Sequence, residues 1–338
     1  MKKISSFLIF LLVVLSLGVT AFAEAGKSAQ GEEAILSAEA FLSAMKASPD
    51  TEKEVLFDLF GQTVSSRSTT SLSYLKTPIG EDGIRLIEKV MAYLPNLRRI
   101  TFDRCEISNE SMAKLRDAYP DKEVVWRIFF SPFSCMTDAE TIWASVDLRN
   151  EQAEPLKYCT KLKNLDIGHS AMNYLDFLYY MPDLEVLILS CSDFDDLTPV
   201  ASCKNLRYLE IAECWRIKDL SPLAELKNLE HLNIGQCTGV RDLSPLYHLD
   251  ECKNLKRFYC TNMWQGLDIY AEETYFRKIL PPTVEIDFNW YGELGALNTG
   301  HWRFTRGNYE GSYVEPYREI REIFGYDDFS NQARLWEP

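Results

Sequence analysis

The chain has 338 residues, 46% of them hydrophobic, and a formal net charge of −14. That length accommodates one elongated domain with covered ends or two compact ones. The acidity excludes nucleic acid as a natural partner, because phosphate recognition needs a basic stripe, and it disfavours anionic lipid for the same reason.

The chain opens with Lys2-Lys3, an apolar run from Phe7, and Ala21-Phe22-Ala23. A basic start, a short apolar centre and a small-x-small end read as a secretory signal, residues 1–23, cleaved after Ala23. The run is at the short limit for spanning a bilayer, so the mature chain is expected to have no membrane span and to lie outside the cell membrane. Loss of the two lysines takes the formal charge to about −16. Residues 32–47 place Ile35, Ala38, Phe41, Leu42 and Met45 at helical spacing, and 54–64 reads as a strand.

From Leu72 a longer unit begins. A strand over SLSYL precedes a helix carrying Ile84, Ile87, Val90, Met91 and Leu94. The strand motif recurs at Leu97, and a second helix begins near Ser108 and Glu110. EVVWRIF (123–129) and IWASVDL (142–148) read as degenerate strands, with SPFSCMTD as the loop between them.

Five segments then align on one another: LKNLDIGHS at 162, LEVLILSCS at 184, LRYLEIAEC at 206, LEHLNIGQC at 229 and LKRFYCTNM at 255. Their first leucines are 22, 22, 23 and 26 residues apart. L-x-x-L-x-L at such a period is the mark of a leucine-rich repeat solenoid. One unit cannot bury its leucines alone, and stacked units share a continuous interior. With the turns DDLTPV, KDLSPL and RDLSPL, the chain resembles the secreted bacterial leucine-rich repeat proteins of the internalin type. The fold expected is α/β: a curved parallel β-sheet with short helices and turns on the convex side, a helical N-terminal cap over 24–71, the solenoid over 72–263 and an aromatic-rich C-terminal cap over 264–338. That last segment holds 16 aromatic residues in 75, against 23 in the 240 residues from Glu24 to Met263.

Nine cysteines in an exported chain suggest disulfides. The repeat register argues otherwise: Cys105, Cys214 and Cys237 sit eight residues after a first hydrophobic position, Cys159, Cys203 and Cys252 three residues before one, and Cys260 at a third apolar site. Cysteine at these places acts as a small hydrophobe. Cys135 and Cys191 lack such an account, and a Cys214–Cys237 bridge stays open. The four histidines form no metal pair, and no nucleophile, phosphate-loop or dinucleotide motif occurs, so neither enzyme activity, cofactor nor metal is expected. Asp193, Asp195, Asp196, Asp219 and Asp242 fall in turns, where aspartate commonly binds its own backbone. A calcium site at Asp193–Asp196 is the competing reading.

With positions one, four and six inward, positions three, five, seven and eight are expected to face outward on the concave side. The candidate ligand-binding residues there are Asp166, His169, Val186, Ile188, Tyr208, Glu210, His231, Asn233, Arg257 and Tyr259. The set mixes rings, an apolar pair and few lysines, as interface centres do. The expectation is a secreted or cell-surface, monomeric recognition module for a protein or glycan. The alternative is a carbohydrate-binding or carbohydrate-active protein using the aromatic C-terminal segment.

Overall fold

The computed structural model describes residues 35–48, 53–130, 133–144, 148–261, 263, 266–288 and 334–335. The expected signal at 1–23, Asn262 and most of the aromatic segment (289–333) lie outside them. Strand β1 (Leu36–Ser37) leads into α1 (Ala38–Ala47), which the Ser37 hydroxyl caps by accepting from Ala40 N–H. A hairpin of β2 (Leu56–Leu59) and β3 (Gln62–Ser65) follows, so the strand expected at 54–64 is two strands around the Phe60-Gly61 turn. Phe41 stacks on Phe57 at 4.0 Å and meets Tyr93 edge-on at 6.2 Å, which packs this N-terminal unit onto the next one.

The longer units give β4 (Ser71–Leu75), α2 (Gly80–Met91), β5 (Arg99–Asp103), α3 (Asn109–Ala118) and β6 (Glu123–Phe130). α3 starts where its sequence signals, with the Ser108 hydroxyl accepting from Ser111 N–H. The expected loop at SPFSCMTD instead contains β7 (Phe133–Met136), antiparallel to β6. Phe133 and Cys135 are both buried there, so apolar burial outweighs the polar residues that suggest a loop. β15 (Arg334–Leu335) pairs antiparallel with β7, completing a five-stranded sheet in the order β15-β7-β6-β5-β4.

A second, wholly parallel sheet holds the regular repeats. It runs β8 (Thr141–Trp143), β9 (Asn164–Asp166), β10 (Val186–Ile188), β11 (Tyr208–Glu210), β12 (His231–Asn233), β13 (Arg257–Tyr259) and β14 (Glu285–Asp287) in sequence order. A short α4 (Asn150–Ala153) and 3₁₀ segments of three to eight residues form the returns, until α5 (Ile269–Ile279) precedes β14. The single expected run of strands is thus divided into two sheets at the antiparallel β6–β7 hairpin.

The register follows the leucines. Leu165 pairs with Leu187, Leu187 with Leu209, Leu209 with Leu232 and Leu232 with Phe258, all buried in one interior. Stacking satisfies polar groups in the same columns. Asn205 and Asn228 donate to the carbonyls of Pro182 and Lys204 one repeat back. The thiols of Cys214 and Cys237 donate to Leu189 and Ile211 carbonyls at 3.4 and 3.0 Å. The structure holds all nine cysteines as thiols, and Cys214 and Cys237 face carbonyls of the preceding repeat rather than each other. Burial pushes the Cys237 thiol up to about 12, which leaves it inert.

Position two of each repeat carries alternating charge. Lys163 meets Glu140 at 3.0 Å; Arg207 bridges Glu185 at 2.9 Å and Glu230 at 2.7 Å; Lys256 meets Glu230 at 2.6 Å. Burial raises the Glu230 carboxyl, but hydrogen bonds from Lys256 and Arg207 outweigh it and hold the carboxyl below its ordinary range. Opposite charges on neighbouring strands favour this register over a slipped one. The turns bind themselves: Asp196, Asp219 and Asp242 accept the backbone N–H of Thr198, Ser221 and Ser244, each at 2.8 Å. Proline after the serine or threonine then starts the 3₁₀ return.

Urea unfolding separates the two kinds of contact. Leu209→Ala is expected to cost about 3 kcal/mol, and Asp219→Ala about 1 kcal/mol. Asp219→Asn, which keeps the acceptor, should leave the midpoint nearly in place.

Candidate functional site

The residues opposite the leucines, at positions three and five, lie on the second face of the seven-stranded sheet. That face is not open. Asn164, Val186, Ile188, Tyr208, Glu210 and Asn233 are fully buried, and Asp166, His231 and Tyr259 nearly so. The expectation of outward exposure therefore fails for Asp166, Val186, Ile188, Tyr208, Glu210, His231, Asn233 and Tyr259. Of the candidate set, His169 alone is exposed and Arg257 is half-buried. The strands here are three residues long and buried at every position in β11 and β12.

The Tyr208 hydroxyl donates to Glu210 Oε2 at 2.8 Å, and the Ser190 hydroxyl to Glu210 Oε1 at 3.0 Å. The Tyr208 ring lies 5.9 Å from the His231 ring, and the Tyr259 hydroxyl donates to Glu285 at 2.7 Å. Asp166 and Asn233 accept the backbone N–H of Gly168 and Gly235, both at 3.0 Å. The Ser190–Glu210, Tyr208–His231 and Tyr259–Glu285 contacts tie neighbouring strands together, while the Tyr208–Glu210, Asp166–Gly168 and Asn233–Gly235 bonds stay within one repeat.

The accessible surface begins where the strands end. Position eight (His169, Cys191, Glu213, Gln236) has φ between 56° and 61° in the four regular repeats described there. That left-handed conformation costs a non-glycine residue roughly 1–2 kcal/mol. Stacking compensates: each of these residues donates its N–H to the next repeat, at Ser190, Ala212, Gly235 and Thr261 carbonyls, within 2.7–2.8 Å. Side chains in the column link too, with Gln236 Nε2 donating to Glu213 at 2.9 Å and the Cys191 thiol 3.5 Å from the same carboxylate. The result is an accessible rim, one residue per repeat, exposed at His169 and half-buried at Cys191, Glu213 and Gln236.

Sequence reasoning passed over the residue that stands furthest out beside this rim. Trp215 is 65% exposed, two residues beyond Glu213. Its loop is held by Gly239 of the next repeat, where a Cβ would lie 2.5 Å from the Trp215 carbonyl and 2.3 Å from that of Ile217. Only glycine permits that approach. The signal was available: tryptophan at a column where Ala171, Asp193 and Thr238 stand in sister repeats. Arg216 beside it reaches Asp195 at 3.4 Å. Of the aspartates read as a possible calcium site, Asp195 takes part in that ion pair and Asp196 binds its own turn, and among the described residues no three His, Cys, Asp or Glu side chains group to hold a metal ion.

Parallel strands in sequence order, one per 22–28 residues, with leucines on one face and 3₁₀ returns on the other side, define a leucine-rich repeat solenoid. The family model described as leucine rich repeats (two copies) matches residues 204–248. Among solved structures, a leucine-rich repeat protein of Leptospira interrogans is 18% identical, covering 62% of this chain and 57% of that one, with a TM-score of 0.40. An internalin of Listeria monocytogenes is 18% identical over 59% of this chain and 56% of that one, with a TM-score of 0.36. The chain thus spans less than two thirds of either neighbour. No curated protein matches the sequence. Among the described residues no helix is long and apolar enough to cross a membrane.

Two outcomes test the structural role of the buried face. Tyr208→Ala is expected to lower stability by about 3 kcal/mol, as for a core aromatic, read by chemical denaturation. Burial, with the Arg257 and Lys256 charges, pushes the His231 imidazole down to about 4. The unfolded chain takes up a proton near pH 6.5 that the folded chain refuses. Stability is therefore complete above that pH and declines as pH falls toward about 4, by up to roughly 3 kcal/mol. His231→Gln should remove that part of the pH dependence in denaturation curves.

Proposed function

We propose that the protein is a non-catalytic recognition module, exported by its N-terminal leader, which binds a protein ligand along the rim of its seven-stranded sheet. The observation that carries this reading is Trp215, a large ring held exposed on a loop that repeat stacking makes rigid. Tryptophan on a fixed support loses little entropy on binding and dominates interface energetics where it occurs. His169, Glu213 and Gln236 of the rim, with Arg257 on β13, supply the polar contacts of the binding surface. The buried positions, Tyr208 and Glu210 among them, serve as the frame beneath the rim. The N-terminal unit, packed through Phe41, Phe57 and Tyr93, acts as the cap of the first repeat.

Pull-down from cell-surface extracts, run beside a glycan array, identifies the ligand and tells protein from sugar. Trp215→Ala is then expected to weaken binding at least tenfold with an unchanged unfolding midpoint, measured by titration calorimetry and urea denaturation. Full affinity retained across Trp215→Ala, His169→Ala, Gln236→Ala and Arg257→Ala would remove the rim as the binding surface.

A further inference from the structure

Cys135 is the buried cysteine that repeat packing does not explain, and the structure supplies its neighbour. Its Sγ lies 3.8 Å from Sγ of Cys159, and both residues are buried. Cys159 occupies the same repeat position as Cys203 and Cys252. In those two repeats the sulfur faces a backbone carbonyl of the preceding coil, Leu178 at 3.9 Å and Leu226 at 3.4 Å. Cys159 faces a second thiol instead. The pair sits at the junction of the two sheets: Cys135 on β7, Cys159 just after the Glu154–Tyr158 turn that opens the regular repeats.

We propose that Cys135 and Cys159 form an intramolecular disulfide that fastens the β6–β7 hairpin to the first regular repeat. A separation of 3.8 Å is van der Waals contact between two sulfurs. Bond formation brings the two sulfurs from that contact to the bond length of about 2.05 Å. The oxidant is a small-molecule disulfide such as oxidised glutathione. One cysteine thiolate attacks it, forming a mixed disulfide and releasing one glutathione thiolate. The other cysteine thiolate then attacks the protein sulfur of that mixed disulfide and expels the second. The two protons lost by the cysteines are taken up by the two glutathione thiolates, so one S–S bond is reduced and one is formed.

The shared hydrogen bond with Cys135, followed by burial, holds the Cys159 thiol well above its ordinary range. The folded, reduced pair should therefore oxidise slowly, and the bridge should close during folding, before the core excludes the oxidant. Closure in the cell rests on the export reading, since reducing compartments oppose it; closure in vitro does not.

The full chain is refolded with reduced or with oxidised glutathione, alkylated under denaturing conditions and analysed by non-reducing peptide mass spectrometry. The expected result for the oxidised sample is one linked peptide pair joining Cys135 to Cys159, with the other seven of the nine cysteines alkylated. Oxidation should also raise the melting temperature by about 5 °C. Cys135→Ala should fold and melt at one temperature under both conditions, while Cys191→Ala should keep the bridge and the shift. Nine alkylated cysteines in oxidised, folded protein, or links through other pairs, would overturn the assignment.

Discussion

The coils of this protein have no interior of their own. Each regular coil from Leu162 to Leu249 contributes four or five buried leucines, and those leucines leave water only by meeting the coil before and the coil after. Fully burying one such side chain is worth roughly 1.5–3 kcal/mol, and the column Leu165, Leu187, Leu209, Leu232 and Phe258 sums that gain along a single line. Sharing an interior forces the strands parallel and side by side. It also brings every polar group at a given repeat position within reach of its counterpart one coil away.

Much of the remaining detail follows from that adjacency. Asparagine amides, cysteine thiols and position-eight N–H groups all point to carbonyls of a neighbouring repeat. The opposed charges at Glu185, Arg207, Glu230 and Lys256 pair across strands for the same reason. A left-handed backbone at Cys191 or Glu213 would be costly in a lone turn, and here stacking fixes it as a rim. Rigidity inherited from neighbours is what turns an exposed tryptophan into a presented one.

The sequence is legible where period and burial coincide. The leucine spacing identified the strands, their parallel order and the core role of most cysteines, and the DLSP turns foretold aspartates that bind their own backbone. It is misleading where alternation was taken to mean exposure. Val186 and Ile188 read as an outward apolar pair, yet they are buried, because alternation names a face and not what lies against it. The β6–β7 hairpin was hidden by the polar and proline residues of SPFSCMTD, whose phenylalanine and cysteine carry the burial. Trp215 was missed for a different reason. It lies outside the strand motif, and its importance depends on a close approach by Gly239 that no spacing rule describes.

The account stands on neighbouring coils placing equivalent leucines in contact. Methyl-labelled full-length protein tests this directly through nuclear Overhauser contacts. Leu187 methyls should show cross-peaks to Leu165 and to Leu209, with Leu232, two strands away and about 9.6 Å distant at the usual strand spacing, giving none. A Leu187 side chain in contact with neither neighbour, in a folded sample, would contradict the shared interior and everything derived from it.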